Sequence, residues 1–176
     1  TLARRAVCAA PRGVAYDAAA DALHVACAGG ELVTLPAAGG AATRTLKIDG
    51  DLRDVVVSGS NLLVTRFRSA ELLTVGADGT IVSRSRPKPI AISDVANGPA
   101  GDPPPRTGMV LAEAAVAWRM QALLDGSIML LHERASTGMI DTRRPGGYGG
   151  GGCKGAGIVS GALTHMGPSG EVASGP

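Results

Sequence analysis

The chain has 176 residues, of which 45% are hydrophobic and only 2% aromatic, with 26 Gly and 11 Pro. This length accommodates one domain, whose core must be built from aliphatic side chains on short segments separated by many turns. A formal charge of +2 excludes the strong field expected of a nucleic-acid or membrane-surface partner. No apolar run is long enough to cross a bilayer, so we expect no membrane span.

The first half of the chain repeats itself with a period of about 40 residues. Pro11-Arg12-Gly13-Val14 matches Leu52-Arg53-Asp54-Val55, and Glu31-Leu32-Val33-Thr34 matches Glu71-Leu72-Leu73-Thr74. Within each unit, short apolar runs are separated by turn signals such as Gly29-Gly30. Four short antiparallel strands in a repeat of this length are typical of one β-propeller blade.

The two repeats predict their strands in chain order. These strands lie at 12–17, 22–27, 31–35, 43–48, 52–57, 61–66, 70–75 and 80–84. The first unit, at about 11–48, and the second unit, at about 52–84, are therefore blades 1 and 2 of a predicted propeller.

Two interruptions follow blade 2. The segment 85–108 is rich in proline and predicts a crossing between blades, because proline cannot donate to a central ladder. Residues 109–142 predict a third blade, 143–157 a glycine-rich insertion, and 158–176 the start of a fourth blade. The predicted fold is all-β, a propeller fragment of four-stranded antiparallel blades. Because the chain begins with Thr1 and closed propellers use about four to eight blades, we expect it to be incomplete.

The cysteines suggest a disulfide in blade 1. Cys8 precedes the first strand and Cys27 ends the second, so both lie at one end of the sheet. With Arg12 opposite Cys27, the sulfurs meet if Pro11 turns the chain back. A Cys8–Cys27 bond would imply an oxidising compartment, and two buried free thiols are the alternative. Cys153 lies in the glycine-rich insertion, and the sequence does not identify its partner.

Patterns for catalysis or metal binding are not found in the sequence. His24 and Cys27 are three residues apart on a strand and so point to opposite faces. There is no zinc-ligand spacing, no Cys-x-x-Cys-His for c-type haem and no nucleophile elbow. Gly150, Gly152 and Gly155 match a phosphate loop only by composition, without its strand and helix. We therefore predict no catalytic residue, metal site or cofactor within this chain.

Three arginines are the candidate ligand-binding residues. Arg12, Arg53 and Arg119 each lie near the first strand of a unit, and first strands line the central channel of a propeller. Such arginines would form a cationic ring at one channel mouth, able to hold an anion or an acidic partner. The alternative is that they are solvated, or paired with acids such as Asp17 and Asp54.

The phrase "PRGVAYDAAADALHVACAGGELVTLP", from Pro11 to Pro36, resembles a repeat of the YVTN/NHL-type β-propellers. The later phrases "VAWRM", "MLLHER", "GGYGGGGC" and "GIVSGALTHM" are similar to bacterial, myxobacterial-type extracytoplasmic proteins. In those proteins a propeller precedes a cytochrome c domain of the di-haem peroxidase-like kind. The resemblance implies a periplasmic or extracellular protein whose haem c chemistry lies C-terminal to Pro176.

The function expected from the sequence is that of a non-catalytic scaffold or docking surface, beside a redox domain outside this chain. A protein partner or the redox domain itself would bind it. Two alternatives remain open. One is a propeller lyase or hydrolase with its active site on the channel face, drawing on Arg12, Arg53 and Arg119, and the other is a stand-alone adhesion or interaction module.

Overall fold

The computed structural model describes residues 4–95, 107–138, 158–167 and 170–175, with side chains described for all of these except 93–95, 107 and 170–174. Every regular element in this part of the chain is a β-strand. The strands are β1 Pro11–Asp17, β2 Ala22–Cys27, β3 Glu31–Pro36, β4 Arg44–Lys47, β5 Leu52–Ser58, β6 Asn61–Arg66, β7 Leu72–Val75, β8 Ile81–Ser85, β9 Ile90–Val95, β10 Thr107–Ala122, β11 Ile128–Ser136, β12 Val159–Gly167 and β13 Gly170–Gly175.

These strands form three antiparallel sheets in which neighbours in sequence are neighbours in space. Sheet 1 has the order β1-β2-β3-β4, sheet 2 has the order β5-β6-β7-β8, and sheet 3 has the order β13-β12-β11-β10-β9. The prediction of an all-β chain built from blade-like antiparallel sheets is confirmed. Sheets 1 and 2 each have four strands, as the repeat period predicts, whereas sheet 3 has five.

Aspartates organise the tight turns between strands. Asp17 Oδ1 accepts hydrogen bonds from the amides of Ala19 and Ala20, at 2.9 and 3.2 Å. Asp78 Oδ1 accepts one from the amide of Thr80 at 3.0 Å, and Asp125 repeats the device after β10. A short carboxylate that bonds the backbone two residues further on substitutes for a ladder partner. It therefore ends one strand and starts the next.

The sheets stack face against face in chain order. We call the face of a sheet that points to the next sheet its forward face and the opposite face its rear face. Ala26 and Leu32 on the forward face of sheet 1 pack against Val55, Val64 and Leu73 on the rear face of sheet 2. A second core joins sheets 2 and 3 and contains Ala70, Leu72, Ala117, Met120, Ile128, Leu130 and Met166. Burial of aliphatic surface between consecutive sheets is thus what holds the stack together.

Sheet 3 departs from the sequence prediction in two places. Residues 85–108 were expected to cross between blades, but Ile90–Val95 is a strand that pairs with the first part of β10. Residues 158–176 were expected to begin a fourth blade, but Val159–Gly167 pairs with β11 from Ala135 to Ile128. The prediction that residues 158–176 begin a fourth blade was therefore wrong. Because a long connection separates β11 from β12, the sequence pattern does not indicate that these two strands pair.

The remaining sequence predictions for this region cannot be compared. The glycine-rich insertion 143–157, with Cys153, and the end of the predicted third blade at 139–142 lie outside the described residues.

Candidate functional site

The first strands of the three sheets share one irregularity. The pairing of β1 with β2 shifts between Pro11 and Gly13, and that of β5 with β6 shifts between Leu52 and Asp54. In β10 the corresponding shift lies between Ala117 and Arg119. Each shift leaves one extra residue, and a bulge of this kind redirects the side chain that it carries. The extra residues are Arg12, Arg53 and Trp118.

This register corrects the placement of the third arginine. Arg119 was grouped with Arg12 and Arg53 from its position near a first strand, but the structural equivalent of those two residues is Trp118. Arg119 occupies the next position, which Gly13 and Asp54 occupy in the other two sheets. The ring of three equivalent arginines is therefore a row of two arginines and one tryptophan.

The bulged residues form one contiguous cluster with Phe67, which we call the arginine–aromatic ladder (Arg12, Phe67, Arg53 and Trp118). The guanidinium carbons of Arg12 and Arg53 lie 5.0 and 5.2 Å from the Phe67 ring centroid. Arg53 also lies 5.4 Å from the ring of Trp118. The two rings meet edge to face, with centroids 5.4 Å apart and planes at 77°. Each of these contacts falls within the range of favourable cation–π and aromatic pairs.

Backbone hydrogen bonds between the sheets fix the ladder. The Phe67 amide donates to the carbonyl of Asp51 at 2.7 Å, and the Phe67 carbonyl accepts from the amide of Ala117 at 2.8 Å. Phe67 thereby joins sheet 3 to the linker that precedes sheet 2. Arg53 Nε donates to the carbonyl of Trp118 at 3.3 Å. The two aromatic rings and the Arg53 guanidinium beside them are consequently held by main-chain atoms from two sheets.

The charges of the ladder are unequally compensated. Arg12 Nη1 lies 3.0 Å from Asp51 Oδ1, and Trp118 Nε1 donates to Glu133 Oε1 at 3.1 Å. Arg53 makes no ion pair with any described residue; its side chain contacts the two rings and donates to one carbonyl. A guanidinium that stacks by its faces keeps its outer N–H groups available for a planar anion.

Asp54 and Arg119 lie beside the ladder, in a groove of about 570 Å³ along the first strands. The Asp54 residue is only 3% exposed. Its Oδ2 accepts from the amide of Met120 at 2.8 Å, and its Oδ1 lies 3.4 Å from Arg119 Nη1. The Arg119 side chain remains 67% exposed. Asp54 therefore joins sheets 2 and 3 through its hydrogen bond to Met120, whereas most of the Arg119 side chain is exposed in the groove.

The structure contains a Cys8–Cys27 disulfide. The details differ from the sequence argument, because Pro11 and not Arg12 lies opposite Cys27, and Arg12 is the bulged residue. Beyond Pro11, the Ala28 amide donates to the carbonyl of Ala10 at 2.9 Å, which turns the chain back toward β2. This turn brings Cys8 beneath the sheet.

His24 and Cys27 lie on opposite faces of β2 and have separate partners. His24 Nδ1 lies 3.1 Å from Thr34 Oγ1, and its Nε2 lies 3.6 Å from Asp17 Oδ2. Cys27 belongs to the core on the rear face of sheet 1. No group of three or more His, Cys, Asp or Glu side chains with metal-binding geometry occurs among the described residues.

The linker between sheets 1 and 2 carries a charge network. Asp49 Oδ2 lies 2.9 Å from Arg84 Nη1, and its Oδ1 lies 3.7 Å from Arg66 Nη2. Glu71 lies between the two arginines, at 3.0 and 3.1 Å. The hydrogen bond from Arg84, supported by the Gly50 amide and the Arg66 charge, holds the pKa of Asp49 below its ordinary value against the effect of burial. The network thus anchors the linker to the outer strands of sheet 2.

The sequence interpretation missed the aromatic half of the ladder. Phe67 and Trp118 are the only phenylalanine and the only tryptophan of the chain. In a chain so poor in aromatic residues, the positions of Phe67 directly after β6 and of Trp118 in a first strand indicated a candidate binding site. This indication was not used, because the insertions before β10 hid the correspondence between Trp118 and Arg53.

The described part of the chain contains no helix long and apolar enough to span a membrane. Its three stacked antiparallel sheets define an all-β protein of propeller-type blades. No family model matches the chain, and no curated protein matches it. Among solved structures it is similar to the crystal structure of BamB from Moraxella catarrhalis, with 13% identity and a TM-score of 0.38, over 94% of this chain and 74% of that chain.

Proposed function

We propose that the chain is a non-catalytic scaffold that docks an acidic protein segment on the arginine–aromatic ladder. The observation that carries the proposal is Arg53, whose charge lies against both Phe67 and Trp118 without a carboxylate partner among the described residues. Tryptophan and arginine are the residue types that contribute most to binding at protein interfaces. A fixed, unpaired guanidinium beside exposed indole surface has the chemistry of such a docking point.

The position of Arg53 favours recognition of a carboxylate. The rings of the ladder restrict the guanidinium before any partner arrives, so little side-chain entropy is lost on binding. The outer N–H groups suit bidentate contact with Asp, Glu or a terminal carboxylate. Arg119, hydrogen-bonded only weakly to Asp54 at 3.4 Å, supplies a second cation next to Trp118. Arg12 contributes less, because Asp51 already neutralises it.

We further propose an extracytoplasmic location, periplasmic or extracellular. The Cys8–Cys27 disulfide supports it, because such bonds persist mainly in oxidising compartments. The YVTN/NHL-type identity of the repeats and a cytochrome c domain following Pro176 remain proposals that rest on sequence resemblance. Sequencing the complete reading frame tests them, and a frame without an export signal and without Cys-x-x-Cys-His would eliminate the redox version.

Docking is tested with an oligoglutamate peptide as the probe, followed through the fluorescence of Trp118. We expect saturable binding that weakens with added salt, because the contact is between charges near the surface. Arg53→Ala should reduce the affinity several-fold. Arg4→Ala is the matched control, since it removes the same charge from an exposed position outside the ladder. Equal binding by the Arg53→Ala variant and the wild-type protein would refute the proposal.

A further inference from the structure

The rear face of sheet 1 is covered by the segment that precedes it, residues 5–10, which we call the strap. Val7 and Cys8 of the strap pack against the aliphatic residues of this face, Val25, Cys27, Val33 and Leu35, all of which are buried. The disulfide ties the middle of the strap to Cys27. The first residue of the strap, Arg5, donates hydrogen bonds to the carbonyls of Pro36 and Ala37 at 2.7 and 2.9 Å. The strap therefore crosses the sheet from β2 to the end of β3.

The strap occupies the place that a preceding sheet occupies elsewhere in the stack. The cross-strand pair Val25 and Val33 in sheet 1 corresponds by register to Val64 and Leu73 in sheet 2. That second pair packs against the forward face of sheet 1. The corresponding pair of sheet 3 includes Leu130, which packs against sheet 2. Only sheet 1 meets a strap instead of a sheet.

The forward face of sheet 3 is the complementary surface, and the described residues leave it open. Its central pair, Leu131 and Leu163, corresponds by register to Thr65 and Leu72 of sheet 2. Thr65 and Leu72 are 0% and 5% exposed where sheet 3 covers them, whereas Leu131 and Leu163 are 42% and 46% exposed. An aliphatic pair at a position that is buried in the preceding sheet is a surface suited to another sheet.

We propose that the strap prevents head-to-tail association of this protein with a second copy of itself. The forward face of sheet 3 in one copy fits the rear face of sheet 1 in another, because the same pair of faces already packs twice within the chain. Repeat proteins need such a cap, since an uncovered terminal face continues the stack without limit. The strap covers the rear face of sheet 1, and its disulfide holds it there.

Part of the rear face of sheet 1 lies beyond the strap. Val14 and Tyr16 share this face with Val25 and Leu23, their partners in β2, and both remain exposed. Their counterparts in the next sheet begin with Val55, which is buried against sheet 1. A second copy could therefore contact Val14 and Tyr16 without any change in the strap. Release of the strap would expose the rest of the rear face of sheet 1.

Release of the strap is tested with Cys8→Ser, in a Cys153→Ser background that excludes accidental disulfide dimers. Sedimentation velocity should show a monomer for the Cys153→Ser protein and concentration-dependent association for the Cys8→Ser/Cys153→Ser protein. Adding Leu163→Glu to the latter should restore the monomer, because a carboxylate would then be buried against aliphatic side chains. Ser60→Glu, which places the same charge on an exposed residue of the turn between β5 and β6, is the control for added charge and should leave association intact.

Two further measurements distinguish release of the strap from unfolding as the cause of association. Cys8→Ser/Cys27→Val/Cys153→Ser removes the disulfide while keeping an apolar side chain at 27, and it should associate in the same way while showing the β circular dichroism of the parent. In Cys8→Ser/Cys153→Ser the single remaining thiol, Cys27, should react with maleimide more slowly as protein concentration rises. Association of the parent protein equal to that of the strap variants, or association that persists with Leu163→Glu, would overturn the proposal.

Discussion

A Cβ atom at position 13 would lie 2.5 Å from the Cα of Asp54. This distance is shorter than any real contact of a Cβ atom, and the obstructing atom belongs to the backbone, so it cannot turn aside. Gly13 thus sets how closely the first strands of sheets 1 and 2 approach each other. The ladder depends on that approach, because Arg12 of sheet 1 and Arg53 of sheet 2 must both reach a single Phe67 ring.

The first prediction concerns this close approach. Gly13→Ala should lower the free energy of unfolding by about 1–3 kcal/mol, because the added methyl group forces the two strands apart. Urea denaturation measures the change. Gly161→Ala is the control, since a Cβ at that strand position meets nothing within 4 Å. A Gly13→Ala protein as stable as wild type would show that the strands are not in contact at this point.

The second prediction concerns the buried carboxylate of Asp54. Asp54→Ala leaves the Met120 amide without its acceptor and should cost about 1–3 kcal/mol of stability. Asp54→Asn retains an acceptor oxygen and should cost less. The difference between the two variants, measured by thermal denaturation, isolates the hydrogen bond from the lost charge. Equal destabilisation would assign the effect to the charge instead.

The third prediction uses Trp118 as the only tryptophan of the chain. Arg53→Lys keeps the charge but replaces a planar group that stacks on two rings, so stability should fall by about 0.5–1 kcal/mol. The emission of Trp118 should change at the same time, because the group over its ring has changed. Arg4→Lys is the matched control and should alter neither quantity. An unchanged emission spectrum for Arg53→Lys would contradict the stacked geometry.

The fourth prediction concerns acid. The folded-state pKa of Asp49 is lowered, chiefly by Arg84. The ionised form therefore stabilises the fold above the ordinary carboxylate pKa of about 3.9, and this contribution is lost as pH falls through the lowered value. Asp49→Asn should be less stable than wild type near neutral pH, with a gap that closes below about pH 4.

The size of that gap should be modest, under about 1 kcal/mol, because Arg84 is partly solvated. Thermal denaturation across a pH series measures it. Glu113→Gln, a change at an exposed carboxylate on β10, serves as the control and should follow the wild-type profile. A gap between Asp49→Asn and wild type that is constant with pH would mean that Asp49 acts by its shape alone.

The sequence predicted the repeated part of the fold well, because alternation and turn residues are local properties. The predicted strand 22–27 coincides with β2, and the predicted strand 61–66 coincides with β6. Sheet 3 was predicted poorly because its partners are separated by long connections. Alternation identifies Val159–Gly167 as a strand, but it cannot say that β11 is the partner of that strand.

The candidate site shows the same limit. Arg12 and Arg53 were identified because the repeat aligns them at equal positions, and the structure places both against Phe67. Phe67 has no counterpart of its kind in the first repeat, where Ala28 follows β2. Trp118 became the third member only through a one-residue shift in register. Such shifts arise from how sheets pack, and a residue pattern within one strand does not record them.

The strap also has a consequence for the order of folding. Both cysteines of the disulfide, the strap and all of sheet 1 precede Gly50 in the chain, so the first sheet can be closed and oxidised before the later residues have folded. Its forward face is then a finished template on which sheet 2 and afterwards sheet 3 assemble. During oxidative refolding of the reduced chain, we expect the Cys8–Cys27 bond to form before the amides of β10 and β11 gain protection from hydrogen exchange. The reverse order would show that assembly begins at the other end of the stack.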